Sequence, residues 1–307
     1  MPAVTVIINP ISGTNGRPGM ARATSDLAAS LVAARGLDAQ VLLSERVGHA
    51  RELARAAIAN GSTRVLAWGG DGTVNEVASA LVFSPARLGI IPSGSGNGLA
   101  RELRIPLDPA RAFAVALEGR ECIIDGGEFD GRWFFNVAGV GIDAEVAHRF
   151  AAVGHQRRGL RRYLEIAARE FFSYRSRSYV ITTDGEIHRV SALIVAIANS
   201  RQYGNGALIA PSAALDDGQL DVVIVGARSA LAVLLQVPRL FTGRISRAPG
   251  VTTVKATEIT ITSDQPMPYH LDGEPFPGSR AITARARPGA LRVAVPLDAP
   301  LDLLASR

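Results

Sequence analysis

Apolar and polar positions follow one repeating plan up to about residue 121 and another after it. Residues 4–9 (VTVIIN), 39–44 (AQVLLS), 64–68 (RVLAW) and 88–91 (LGII) are short apolar runs bounded by polar or glycine-rich stretches, the pattern of strands covered on both faces. Between and after them, 21–36, 49–61, 74–82 and 108–119 carry apolar residues at helical spacing. In the second of these, Leu53, Ala57 and Ile58 fall on one face. The first stops at Gly36, and the last opens with Asp108 as cap and Pro109 in the first turn. Strand and helix in alternation, with short connections, predict an α/β domain with a parallel sheet and helices on both faces.

Beyond residue 121 the period shortens. Residues 122–146 read as strands joined by tight glycine turns, and 179–200 as a hairpin turning at Asp184-Gly185. Residues 219–226, 257–263, 267–276 and 290–296 continue the β pattern, interrupted by helical stretches at about 157–172 and 229–241. The second domain is therefore expected to be mainly antiparallel β. The expected division is 1–124 and 125–290, with the change near 121–126. The segment 291–307 is open to either domain, a return to the first included.

At 307 residues, 47% hydrophobic and 20% charged, the chain can bury a core in each domain, which excludes disorder as a description of the whole. Cys122 is the only cysteine, so neither a disulfide framework nor a cysteine zinc site is available. The first residues carry no basic segment followed by an apolar one. The longest charge-free runs, 88–100 and 202–215, are broken by Gly and Pro and fall short of the about 20 apolar residues that cross a bilayer. A cytoplasmic protein is expected. The net charge is +5, and of 33 basic residues only Lys255 is lysine. A basic surface suits anionic partners, although an arginine-rich composition also arises without one.

Two glycine-rich loops carry the candidate chemistry. Each follows a predicted strand and opens a predicted helix: Gly69-Gly70-Asp71-Gly72-Thr73, continuing Val74-Asn75-Glu76, and Pro92-Ser93-Gly94-Ser95-Gly96-Asn97-Gly98. Such loops lie at the carboxyl edge of a parallel sheet, where glycine lets backbone amides approach a phosphate and the helix N-terminus adds positive charge. Asp71 is out of place in a phosphate cradle unless a divalent cation or a substrate hydroxyl lies between. No phosphate-clamping lysine motif occurs, and no dinucleotide fingerprint follows the first strand. The loop there, Asn9 to Gly13, is open to two readings, a nucleotide contact or a plain turn.

Taken together and in this order, VIINPISG, GGDGTVNEVASAL and LGIIPSGSGNGLARELRIP resemble the diacylglycerol kinase catalytic domain superfamily, which includes bacterial diacylglycerol kinases, YegS-like lipid kinases, and sphingosine and ceramide kinases. The resemblance continues through APSAALDDGQLDVVIV (210–225) and HLDGEPF (270–276). It implies a nucleotide-binding α/β domain, a β-rich lipid-binding domain, an active site in the cleft between them, and transfer of the ATP γ-phosphate to a lipid hydroxyl. Carried over by position, Asn9, Ser44, the Gly70–Glu76 stretch and Ser95 match nucleotide contacts. Asp125 matches an acid lining the cleft, and Asp272 and Glu274 match the catalytic acids. Asp217, helped by carbonyls around Ala214 and Gln219, matches the holder of a structural Mg²⁺. One departure bears on the acceptor: this chain has Asn97-Gly98 where the diacylglycerol kinases tend to have Asn-Asp and the sphingosine kinases a small second residue.

The residues themselves agree with this chemistry. Phosphorylating an alcohol requires an acceptor for its proton and cations on the developing phosphate charge. Asp272 and Glu274, two apart, share a face if the segment is extended, with Glu274 the preferred base and Asp71 placing metal or hydroxyl. Both Asp272-Gly273 and Asp217-Gly218 also read as turns. The five histidines form no metal-ligating spacing and read as structural or solvated. In 155–177, Arg157, Arg158, Arg161, Arg162, Arg169, Arg175 and Arg177 interleave with Tyr163, Phe171, Phe172 and Tyr174. That pattern suits an anionic membrane surface, a packed helix with a solvated arginine face or, less readily, RNA. Arg244 and Arg247 are candidates to extend it. The expected partners are ATP, Mg²⁺ and a membrane lipid, not nucleic acid, with a homodimer left open. The alternatives are an NAD kinase or phosphofructokinase relative, which also use a Gly-Gly-Asp-Gly loop, and a non-catalytic lipid- or nucleotide-binding relative.

Overall fold

The computed structural model describes residues 3–12, 20–152, 174–227, 232 and 235–299, and these form two compact units. The first comprises residues up to 124 with the stretch from 289 onward; the second comprises residues 125–288. The helix expected at about 157–172, with Arg157, Arg158, Arg161, Arg162 and Arg169, lies outside the described residues.

In the first unit, β1 (Val4–Ile8), β2 (Ala39–Leu43), β3 (Arg64–Gly69) and β4 (Arg87–Pro92) are parallel in the order β4-β3-β1-β2. Every residue of β1 is buried, which is why that strand is a continuous apolar run. Its one polar member, Thr5, shares a hydrogen bond with Ser62 at 2.8 Å. Helices α1 (Met20–Ala33), α2 (His49–Ala59), α3 (Asp71–Leu81), α4 (Gly98–Glu102) and α5 (Pro109–Glu118) complete the described part of this layer. The buried stripe of α2 is Ala50, Ala54 and Ala57, one register away from the expected Leu53, Ala57 and Ile58. Helix α3 starts at Asp71, three residues earlier than its apolar period suggests, so most of the first glycine loop is helix rather than loop. Asp108 caps α5 as expected, accepting from Arg111 N at 2.9 Å.

The second unit is built around an antiparallel sheet. Strands β5 (Arg120–Phe129), β6 (Arg132–Phe134) and β7 (Val137–Gly141) are followed by α6 (Ile142–Ala152), where strand was expected. Then come β8 (Arg177–Thr183), β9 (Glu186–Ala198), the small pair β10 (Gln202–Gly204) and β11 (Ala207–Leu208), β12 (Leu220–Gly226), the short helix α7 (Val237–Phe241), β13 (Val251–Ala256), β14 (Glu258–Thr262), β15 (Tyr269–Leu271), β16 (Glu274–Phe276) and β17 (Ala281–Val295). Strand β9 pairs with β7, β8 and β12. Its period of two decides its packing: Val195 and Ile197 enter the larger core with Phe129, Phe134 and Tyr269, and Ala196 and Ala198 enter a smaller one with Val137, Ile209 and Val223. Strand β17 serves both units: residues 281–285 pair with β14, and Arg292 and Val293 pair in parallel with Arg87 and Leu88 of β4.

Asp184 (φ 47°) and Gly185 (φ 94°) turn β8 into β9, as expected of that dipeptide. The Asp184 carboxylate also accepts from Thr257 N at 3.0 Å and Glu258 N at 2.8 Å, which fixes the start of β14. The hydrogen bond from Glu258 N, followed by that from Thr257 N, holds the Asp184 carboxyl below its usual range. A depressed carboxyl contributes stability above its unfolded value, about 3.9, and the contribution is lost as pH falls through the lower folded value. Asp184→Ala is therefore expected to lower the denaturation midpoint at neutral pH, with the gap to the parent closing in acid. A gap equally wide at about pH 3 would refute this.

Candidate active site

The two glycine loops of the first unit meet backbone to backbone. A Cβ added to Gly94 would lie 2.6 Å from the Cα of Gly70, and one added to Gly96 would lie 2.7 Å from Asp71 Oδ2. Only glycine allows this approach, because the atoms in the way at Gly94 are main chain and cannot yield. Asp71 then ties the loops together: Oδ2 accepts from Asn97 N at 2.9 Å and Oδ1 from Gly98 N at 2.6 Å. The carboxylate thereby caps α4, whose N-cap residue Asn97 is left-handed (φ 51°, ψ 46°) and whose side chain accepts from none of the helix's first amides. Asn97 closes its own loop from inside, Oδ1 accepting from Gly94 N at 2.9 Å and Nδ2 donating to Gly94 O at 2.8 Å.

The end of β1 joins the same cluster. Asn9 Nδ2 donates to Thr73 Oγ1 at 2.9 Å, Asn9 Oδ1 accepts from Ile11 N, and Ser12 Oγ lies 2.7 Å from Ser93 Oγ. Asn9, Ser12, Thr73 and Ser93 thus form one hydrogen-bonded group and Asp71, Gly94, Asn97 and Gly98 a second, with Gly96 packed against Asp71, all at the carboxyl ends of β1, β3 and β4, where a parallel sheet collects ligands. Gly70 joins the second through its contact with Gly94, while Gly72 lies in the first turn of α3 and Ser95 is on the second loop. Gly69 sits against Thr73, with no room for a side chain. Asn75, on the outer side of α3, lies 3.3 Å from Ser79 Oγ. Two expected contacts have other occupations. Val74 is buried among the inward residues of α3, and its N–H donates to Gly70 O at 3.0 Å. Glu76 caps α2, accepting from Gly48 N at 2.7 Å and Ala50 N at 3.0 Å. Ser44 is buried at the end of β2, its N–H donating to Ile8 O.

In the second unit Asp272 and Gly273 form a two-residue hairpin turn (φ 49° and 87°), with Leu271 opposite Glu274. The segment is not extended, so Asp272 and Glu274 do not share a face. Asp272 turns inward: its carboxylate accepts from Phe135 N (3.0 Å), Asn136 N (2.8 Å) and Val137 N (3.1 Å). Glu274 is exposed on β16. Asp125 is 3% exposed, accepts from Gly218 N at 2.7 Å and so receives the turn that contains Asp217. Asn199 links the parts, its Nδ2 donating to the carbonyls of Asp125 and Phe135, both at 3.0 Å. Its Oδ1 is buried without a protein partner among the described residues, an acceptor that a ligand or water donor can satisfy. The sequence reading missed Asn199, Ser200 and Asn136. The polar pair ending the apolar strand 192–198 was the available signal. It missed equally that buried His270 meets Asp143 Oδ2 at 3.1 Å, beside Tyr203 Oη at 3.0 Å.

The acid expected to hold a structural Mg²⁺ is engaged otherwise. Asp217 Oδ1 accepts from Gln219 N at 3.0 Å, and Oδ2 is 2.6 Å from Lys255 Nζ. Lys255, the only lysine, also reaches Asp221 Oδ2 at 2.8 Å, and Ser212 Oγ donates to Asp221 Oδ1 at 2.9 Å. Burial works against the ammonium charge, but the two carboxylates outweigh it and raise the Lys255 pKa. No cluster of three or more His, Cys, Asp or Glu suited to a metal occurs among the described residues. The Ala214–Gln219 turn therefore does not fit a divalent cation: an internal ammonium already neutralises its acid.

Gly94→Ala is expected to force the loops apart at a cost of about 1–3 kcal/mol, read as a lower thermal midpoint. An unchanged midpoint would show that the loops tolerate a side chain at this contact. Lys255→Met leaves Asp221, 1% exposed, without its cation. It is expected to cost about 1–3 kcal/mol of stability at neutral pH, most of it restored by adding Asp221→Asn. Chelator or Mg²⁺ should leave the parent's thermal midpoint unchanged; a fall with chelator would restore the metal.

Comparison with known proteins agrees with both units. Residues 3–129 match the diacylglycerol kinase catalytic domain, and 136–295 match the YegS C-terminal NAD kinase beta sandwich-like domain. A "probable lipid kinase YegS-like" of Pseudomonas fluorescens (strain Pf-5) is 34% identical over 270 residues, 87% of this chain and 89% of that protein. A diacylglycerol kinase of Mycobacterium tuberculosis is 31% identical over 84% of each chain. The crystal structure of a putative diacylglycerol kinase from Bacillus anthracis shares the fold, with a TM-score of 0.78 at 22% identity over 97% of this chain and 96% of that one. With glycine loops and acids placed as above and both domain models matched in order, the chain belongs to the family of diacylglycerol kinases and YegS-like lipid kinases.

Proposed function

We propose that this chain transfers the γ-phosphate of ATP to the hydroxyl of a membrane lipid of the diacylglycerol or sphingoid-base type. Membership of the family makes it a phosphotransferase with an alcohol acceptor. The observation that carries the reading is the Asp71 bridge, which holds two glycine loops at one sheet edge without a lysine. The first-turn amides of α3 and the backbone of the second loop supply phosphate donors, and Mg²⁺ arrives with the nucleotide as part of the substrate. Asn9, Thr73 and Ser93 hold the cradle in shape.

In the transfer, the lipid hydroxyl oxygen bonds to the γ-phosphorus, the bond to the β–γ bridging oxygen breaks, and ADP leaves with that electron pair. The hydroxyl proton passes to Glu274, the exposed acid beside the Asp272 turn. Asp272 acts as a positioning residue, since its carboxylate holds the amides of Phe135 to Val137. No helix among the described residues is long and apolar enough to cross a membrane. Matches to a probable lipid kinase and a diacylglycerol kinase over 87% and 84% of this chain favour this acceptor over NAD, whose kinases share the sandwich fold of the second unit.

The test is phosphate transfer from labelled ATP to dispersed diacylglycerol, a long-chain base or NAD, with product identification by mass. Transfer to a lipid and not to NAD is expected. Glu274→Gln should lower kcat by about 100-fold with KM for ATP little changed, whereas Asp71→Asn should raise KM for ATP. Full lipid-dependent activity in Glu274→Gln would overturn the base assignment, and transfer to NAD alone would overturn the lipid acceptor.

A further inference from the structure

No acid occurs from residue 222 to 257, whereas Arg228, Arg239, Arg244, Arg247 and Lys255 do. Lys255 is committed to Asp217 and Asp221. The described remainder folds as a small platform of the second unit. Its inner side is anchored: Leu240 of α7 packs on the smaller core, and Ile245 and Ala248 are buried in the turn that follows. Arg244 N donates to Arg239 O at 2.9 Å, and Arg239 Nη1 donates to Arg247 O at 3.1 Å, so the platform is closed on itself. Its outer side is both apolar and basic. Val237 and Phe241, four apart on one helix face, are 39% and 58% exposed, and Leu235 just before them is 67% exposed. On the same platform Arg239, Arg244 and Arg247 line a shallow cleft of about 450 Å³ with Pro238 and Thr242.

We propose that this platform, residues 235–247, is the surface by which the protein docks on an anionic lipid bilayer, with Leu235, Val237 and Phe241 entering the interface and Arg239, Arg244 and Arg247 meeting lipid phosphates. The inference deepens the lipid-kinase reading, and rests on it for the reason a bilayer is approached. Charge complementarity selects the occupant. Three exposed apolar side chains and three arginines on one short platform, with no acid within the segment, match the layered apolar and anionic character of a membrane surface. A second copy of the chain would set like charges against each other. A nucleic acid would leave Leu235 and Val237 without a role, since bases stack on aromatic faces.

The test uses the full chain, without ATP, sedimented with vesicles of phosphatidylcholine alone or mixed with phosphatidylglycerol. Binding is expected to the mixed vesicles and to weaken as salt is raised. Leu235→Ser with Phe241→Ser, and separately Arg244→Gln with Arg247→Gln, should each reduce partitioning by about tenfold. Both double variants should keep parental circular dichroism and parental transfer to detergent-dispersed lipid, which needs no bilayer. Parental partitioning in both variants, equal binding to neutral vesicles, a dimer abolished by the apolar variant, or binding to RNA in place of vesicles would each overturn the surface. A failure of the kinase reading shows separately, as absent transfer in detergent while vesicle binding persists.

Discussion

The first unit depends on a carboxylate that faces backbone amides. Two glycine loops cannot hold each other, because glycine brings no side chain to lock its position and loses much conformational freedom on folding. Asp71 supplies the lock by accepting from the first amides of α4, and the contact of Gly70 with Gly94 sets the spacing. An acid that looks misplaced between two glycine loops is thus the element that shapes them. The charge is tolerable because amide donors neutralise it locally, as at any capped helix start.

The second unit applies the same device twice. Asp272 collects three consecutive amides, and Asp125 collects one from the turn at Gly218. Both fix loops of the antiparallel sheet whose own hydrogen bonds end there. Asn199 joins the two by donating to a carbonyl on each side, which makes the polar cluster one unit rather than separate turns. Rigid loops on a strand scaffold suit a site where a hydroxyl must be held within a fraction of an ångström of its base.

The neighbourhood of Asp217 shows how one chain neutralises two acids with an internal ammonium. A nearly buried Asp221 needs a cation. In a chain with 32 arginines the partner is the one lysine, whose compact ammonium reaches two carboxylates at once. The cation is delivered by strand β13, whose register opposite β12 sets Lys255 across from Asp221.

By itself the sequence determined the elements whose cause is local. The buried parallel strands, the Asp108 cap and the Asp184-Gly185 hairpin each follow from a period or a turn dipeptide. The two glycine loops and the acids at 71, 125, 217, 272 and 274 were legible as a set through resemblance. Tertiary structure alone decided what those acids hold. Asp71 meets amides 26 and 27 residues away, Asp272 meets amides more than 130 residues away, and Lys255 lies 38 residues from Asp217. Such pairings depend on strand order and register, which no local pattern encodes. The same holds for α6, whose glycine-rich lead-in reads as strand until the end of β7 turns it into a helix, and for Asn199, whose role exists only once three loops have come together.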